Sequence, residues 1–187
     1  LRELVHRGAI GKLKDVAVWG SREIPKPGYL SGQPVPATLD WDLWLGPSPR
    51  HPFNPEYVKG KAGLNCLQWN MYWDWGVGQI GDMGSHTMDL VWNVIDAELP
   101  TSVAVSSPEA YHPEVTPVTM SASYRFPANG WRDEIRVTWY QGAAKPRLPL
   151  DWLSFDGLGH GALFKGEHGF IVSDFRKLIV YPYGPKA

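Results

Sequence analysis

Asp82, His86 and Asp89 stand four and three residues apart in Gly81-Asp82-Met83-Gly84-Ser85-His86-Thr87-Met88-Asp89, where the pattern predicts a helix over 79–95. Residues at those spacings share one helical face, so the three side chains are expected to point at one volume. An imidazole titrates near neutral pH, and a carboxylate one turn earlier can orient it and stabilise its charged form. That is an acid/base unit on a rigid element, suited to moving a hydroxyl proton. Gly78, Gly81 and Gly84 run along the same helix. Each interior glycine costs roughly 1 kcal/mol against alanine, and bare backbone suits close approach of a ligand or another chain segment. A polar helix face carrying a satisfied histidine is the simpler alternative. A third reading makes Asp82, His86 and Asp89 ligands for Zn, Mn or Fe in a metal-dependent hydrolase or lyase, with Asp74 or another histidine completing the set.

Trp69, Tyr72, Trp73 and Trp75 lie just before this helix. They read either as a platform for the apolar faces of a sugar or cyclitol, with Asn70 or Asp74 adding polar contacts, or as packing of a long loop. Arg22 follows the first strand and reads either as reaching the same pocket or, more simply, as a surface arginine. Trp41 and Trp44 belong to a small helix that must bury one face, so a structural role is expected. His160 and His168 fall in glycine-rich turns, while His51 and His112 each precede a proline and read as loop residues. Gly76-Val77-Gly78-Gln79-Ile80-Gly81 spells G-x-G-x-x-G, but no β-branched run precedes it and Pro100-Thr101 occupy the offset where an acidic strand end is needed. The dinucleotide reading of that motif is therefore rejected.

Residues 1–7 read as the last turns of a helix, and Leu13 to Trp19 as a strand. Prolines and glycines between Arg22 and Asp40 make a loop. Asp40 is placed to cap a helix ending at Leu45 before Gly46-Pro47. Residues 47–76 form a second loop long enough to suggest function. Strands are expected at 102–107, 117–126, 131–140, 161–165, 168–173 and 177–182, with turns at Asn129-Gly130 and Gly166-Glu167-His168-Gly169. Consecutive strands after one helix imply an α+β domain, an open and mostly antiparallel sheet with helices on one face. Strands 117–126 and 131–140 carry large side chains on both parities (Val118, Met120, Tyr124, Phe126, Ile135, Trp139, Tyr140), which points to homo-oligomer contacts through the sheet face.

With 18 basic and 19 acidic residues the net charge is −1, so nothing points to nucleic acid or an anionic membrane. No apolar run reaches the ~20 residues that span a bilayer. Cys66 is the single cysteine, which excludes an internal disulfide. Ten tryptophans and 17 prolines indicate a loop-rich, aromatic surface.

The order Leu4-Val5-x-x-Gly8-Ala9-Ile10-Gly11-Lys12, Leu39-Asp40-Trp41-Asp42-Leu43-Trp44-Leu45-Gly46-Pro47 and G-D-x-G-x-H-x-x-D resembles the C-terminal domain of the Gfo/Idh/MocA family. Glucose–fructose oxidoreductase and inositol dehydrogenase are relatives in that family, and the resemblance covers residues 1 to about 140. It implies the same α+β architecture and oxidation of a sugar, sugar derivative or cyclitol secondary alcohol with NAD or NADP. It makes His86 the proton acceptor or donor, with Asp82 beside it at the substrate and Gly81 and Gly84 against the cofactor; Asp89 is given a structural role. The family's cofactor-binding domain and its E-K-P lysine have no counterpart here. Residues 1–187 therefore read as one substrate-binding and oligomerisation domain truncated at both ends, with no cofactor expected on this chain alone. A stand-alone interaction domain without catalysis is the alternative. Compartment, cytoplasmic or exported, is not encoded in these residues.

Overall fold

The computed structural model describes residues 1–20, 26–59, 68–150, 154 and 158–183, so Arg22 and Cys66 lie outside the described residues. The elements are α1 (Arg2–His6), β1 (Leu13–Gly20), α2 (Trp41–Leu45), α3 (Gly78–Ile95), β2 (Ser102–Ser106), β3 (Met120–Phe126), β4 (Ile135–Gln141), β5 (His160–Gly166), β6 (Gly169–Ser173) and β7 (Leu178–Pro182). Seven strands form one sheet in the order β2-β3-β4-β1-β5-β6-β7. β1 runs parallel to β4, and every other pairing is antiparallel. A parallel pair needs a long crossover between its strands. Here α3 lies in that crossover and packs on β1, β4 and β5.

α3 buries Met83, Gly84, Thr87, Val91, Val94 and Ile95, a stripe at helical spacing. Facing it are Val16 and Val18 of β1, Met120, Ala122 and Phe126 of β3, Ile135, Val137 and Trp139 of β4, and Ala162 and Phe164 of β5. Asp82, Ser85, His86 and Asp89 are left on the far side of the helix, away from the sheet. The first turn of α3 starts at Gly78 with φ +66°, where a Cβ would meet Thr116 Oγ1 at 2.6 Å. Its last turn ends at Asp96 in the left-handed region (φ 48°). Four side chains clamp that end. Arg132 Nε and Asn129 Nδ2 donate to the Ile95 carbonyl, and Arg2 and Trp131 Nε1 donate to the Asp96 carboxylate. Cations are favoured at a helix C-terminus, and they tie α1 and the β3–β4 turn to α3.

The other sheet face departs from expectation. Alternation in a strand sends odd and even residues to opposite faces, and in β3 and β4 the large apolar residues share one parity. Met120, Phe126, Ile135, Trp139 and the half-buried Tyr124 all face α3. The opposite face shows Ser121, Ser123, Arg125, Arg136, Thr138 and Tyr140, with the Ser123 and Thr138 hydroxyls bonded at 2.9 Å. Further along, Ala17, Trp19, Leu163, Phe170 and Val172 are covered by Leu148, Leu150 and Leu158 of the β4–β5 connection, and Trp19 Nε1 donates to the Leu158 carbonyl. The expected apolar face over β3 and β4 is thus polar, and its neighbour is covered by the chain itself.

Candidate active site

The residues after β1 and before α3 build an aromatic knot. Asp40 caps α2 by accepting from the Leu43 amide at 2.9 Å, as its sequence position predicts. Trp41, Leu45, Phe53, Tyr57, Tyr72 and Val115 form a separate small core, with Trp44 and Trp75 packed against it. A short 3-10 turn at Gln68–Met71 then hands the chain to α3. The structural reading of Trp41 holds, since its ring is buried, stacks on Trp44 at 4.6 Å and donates to the His51 carbonyl.

Where knot and helix meet there is a cavity of about 310 Å³ lined by Trp69, Asn70, Trp75, Gly76, Val77, Gly78, Gly81, Asp82 and Ser85. Asp82 is half-buried at its wall, and the buried Asn70 donates from Nδ2 to Asp82 Oδ2 at 3.2 Å. Two of the four expected aromatic residues, Trp69 and Trp75, line this cavity. Tyr72 is fully buried in the knot, and burial pushes its phenol up to about 12. Tyr72 Oη and Trp75 Nε1 are buried without a hydrogen-bond partner among the described residues. Trp73 turns the other way, donating to the His112 carbonyl and lining a separate apolar groove beside β2 and β3.

His86 is exposed one turn along from Asp82. Among the described residues no hydrogen bond joins the two, and Asp82 Oδ2 accepts from Asn70. The imidazole instead meets Phe175 of the β6–β7 turn edge-on, with centroids 6.0 Å apart, and the same ring lies 4.6 Å from His160 at the start of β5. His160 and Phe175 thus stand on the His86 side of the site, where a turn residue read from sequence gave no sign of them. Asp89 is exposed and makes no hydrogen bond or ion pair among the described residues, so the structural role expected for it is not visible there. Among those residues no three His, Cys, Asp or Glu side chains are grouped to hold a metal ion. The metal-ligand reading of Asp82, His86 and Asp89 loses its geometric basis.

The glycines divide. Gly81 is exposed on the cavity wall, whereas Gly84 is buried against Ile80 and Trp139, where an added Cβ would lie 3.3 Å and 3.9 Å away. The first offers open backbone at the cavity and the second does not. Gly76 is occupied by close backbone contact with Asn70. The G-x-G-x-x-G string follows a 3-10 turn, not a strand, and its first two glycines are closely packed, Gly76 on Asn70 and Gly78 on Thr116.

Asp74, read from the sequence as a polar contact beside the aromatic residues, gains two partners that the sequence did not show. Asp74 Oδ2 accepts from Tyr29 Oη at 2.7 Å and pairs with His51 Nε2 at 2.6 Å, while the Tyr29 and His51 rings stack at 3.6 Å. The Tyr29 hydroxyl first, then the His51 ring, hold the Asp74 carboxyl below its usual value. Burial, with the bond to Asp74, raises the Tyr29 phenol. Residues 45 positions apart meet here, which no local motif announces.

The family model for the oxidoreductase family, C-terminal alpha/beta domain (GFO_IDH_MocA_C2), matches residues 18–130, more than half of the chain. No curated protein matches. Among solved structures, the WlbA dehydrogenase from Bordetella pertussis, in complex with NADH and UDP-GlcNAcA, aligns with TM-score 0.51 and 14% identity over 100% of this chain and 42% of that one. An NAD binding oxidoreductase from Klebsiella pneumoniae gives 0.49 and 15% over 99% and 40%. The Gal80p super-repressor mutant from Saccharomyces cerevisiae gives 0.48 and 14% over 99% and 40%. The chain spans about two-fifths of the length of these structures.

Proposed function

This chain belongs to the oxidoreductase family as its C-terminal α/β domain, and on that premise we propose that it is the substrate domain of an NAD(P)-dependent dehydrogenase acting on a secondary alcohol of a sugar, sugar derivative or cyclitol. The observation that carries the reading is the cavity with Asp82 and two tryptophans in its wall, one helical turn from an exposed His86. Oxidation of such an alcohol needs a base for the hydroxyl proton as hydride leaves the carbon. Hydride acceptance is the chemistry that a bound nicotinamide supplies.

In this reading Trp69 and Trp75 present ring faces to the C–H side of a pyranose or cyclitol, where the negative face of an aromatic ring attracts weakly positive hydrogens. Asp82, held by Asn70, accepts from a substrate hydroxyl and fixes its direction. His86 takes the proton and passes it to solvent, to which it is open. Gly81 and Ser85, on the open side of α3, are the residues of this chain that a nicotinamide can approach. The Bordetella pertussis dehydrogenase of the same fold holds NADH and a nucleotide sugar, ligands of the class inferred here.

The test is turnover by the complete protein. His86→Ala is expected to lower kcat by about 10² or more, the loss typical of a general base. Asp82→Asn is expected to raise KM more than it lowers kcat, since an amide still accepts from Asn70 but binds hydroxyls less strongly. Near-wild-type turnover by both variants would remove the acid/base assignment, and no turnover by the unaltered complete protein would leave the interaction-domain reading.

A further inference from the structure

A second cavity, of about 540 Å³, opens beside the first and is lined by Trp44, Leu45, Pro47, Ser48, Trp69, Asp74 and Trp75. Trp69 and Trp75 belong to both, so the two spaces meet at one aromatic wall. Both volumes fall within the ~300–1,000 Å³ usual for ligand pockets. The new walls stand at steep angles to each other: Trp44 meets Trp69 at 87° and Trp75 at 78°, with centroids 6.1 Å and 5.4 Å apart. The rings are rigid, because Trp44 stacks on the buried Trp41 and Trp75 packs edge-on to Tyr57 at 4.7 Å.

Asp74 is the charged group on this wall. Its Oδ2 is taken by Tyr29 and His51, while Oδ1 accepts no hydrogen bond from the described residues. The side chain is about one-third exposed, and its partner His51 is 16% exposed. A carboxylate anchored through one oxygen, and open through the other, is acceptor-only. It selects a ligand that brings hydroxyl donors and repels phosphates and carboxylates. Flat aromatic walls and a single acceptor suit a pyranose ring.

We propose that the Trp44–Trp69–Trp75–Asp74 cavity is a second saccharide subsite, so that the substrate is a glycoside whose reacting ring sits at Asp82 and whose neighbouring ring lies against Trp44 and Asp74. The inference deepens the proposed function and rests on it for the position of the reacting ring. It sets a specificity that the acid/base pair cannot. Trp44, Ser48 and Asp74 contact the distal ring alone, and Trp69 and Trp75, which line both cavities, contact both rings.

Calorimetric titration of the complete protein with glucose, maltose and cellobiose tests this, the two disaccharides sampling both anomeric linkages. One disaccharide is expected to bind at least about tenfold more tightly than glucose, a difference of about 1.4 kcal/mol. Trp44→Ala and Asp74→Asn should each bring that ratio to near one, and an unaltered circular-dichroism spectrum shows that the variants are folded. A wild-type ratio near one, a ratio that survives both substitutions, or binding weaker than about 1 mM for both disaccharides would overturn the subsite. Tighter binding of choline than of any sugar would also overturn it, by making the aromatic walls a cation cage. Asp82→Asn separates the two readings. If it leaves all affinities untouched while the ratio persists, the Asp82 assignment fails and the subsite stands.

Discussion

Glycine positions around α3 give the sharpest stability test, because the residue that each added methyl would meet differs. At Gly84 a Cβ would lie 3.3 Å from Ile80 Cγ1 and 3.9 Å from the Trp139 ring. Ile80 is half-buried and can yield a few tenths of an ångström. Replacing an interior helical glycine by alanine gains about 1 kcal/mol, so Gly84→Ala should range from neutral to about 1 kcal/mol stabilising. At Gly20, on the last residue of β1, the same methyl would lie 2.8 Å from Trp139 Cη2 and 3.1 Å from Met83 Cβ. Trp139 has no exposed surface and cannot withdraw without repacking the helix–sheet seam. Gly20→Ala should therefore cost ~1–3 kcal/mol, the range for overfilling a core. At Gly81 the methyl would collide with Val77, but Val77 is 54% exposed and can turn. Pushing Val77 about 30° off its staggered rotamer would cost ~0.5–1.5 kcal/mol, which offsets the helix gain, so Gly81→Ala should be close to neutral. Urea unfolding followed by tryptophan fluorescence measures all three. For a chain of this size 1 kcal/mol moves Tm by about 2–4 °C. Neutral Gly20→Ala together with Gly84→Ala destabilised by more than about 1 kcal/mol would refute the packing argument. In the complete protein Gly84→Ala should also leave the KM for NAD(P) unchanged, whereas a raised KM would return Gly84 to the cofactor.

Asp74 has a folded-state pKa below its ordinary value, so the stability it adds is present above pH of about 4 and is lost as pH falls through the lower folded value. Asp74→Asn should flatten the acid limb of the stability–pH curve, and parallel curves for the two proteins would contradict the Tyr29 and His51 bonds as its cause. The edge strand β7 exposes Leu178, Ile179 and Val180, and an exposed apolar edge strand invites pairing. Light scattering of the 187-residue chain at low micromolar concentration should give a discrete dimer or tetramer. Ile179→Lys and Val180→Lys should return it to monomer, and a monomeric wild-type chain would defeat the expectation.

Periodicity carried much of the fold. α3 begins and ends within one residue of its expected bounds, since its apolar stripe and the Pro100 stop are local signals. The strands follow their alternation in the same way, with β3 and β4 starting three or four residues late where Pro117 and the Asn129 turn delay pairing. Which strand neighbours which was not legible, because the parallel β1–β4 pair is set by contacts more than a hundred residues apart. Asp82 and His86 were visible through i, i+4 spacing, yet spacing fixes only the shared face. The partner of Asp82 turned out to be Asn70, on a 3-10 turn that no helical period marks. Similarly Tyr29, His51 and Asp74 come from two loops, and the prolines that identified those loops say nothing of how they fold back on one another.

Chemical rescue of His86→Ala in the complete protein tests the central claim most directly. With the imidazole side chain removed, added imidazole can reach the exposed position and act as the missing base. The account predicts slow NAD(P)-linked oxidation by the variant, restored in proportion to imidazole concentration and following the titration of free imidazole with pH. Oxidation that is near wild-type without imidazole and indifferent to it would contradict the account.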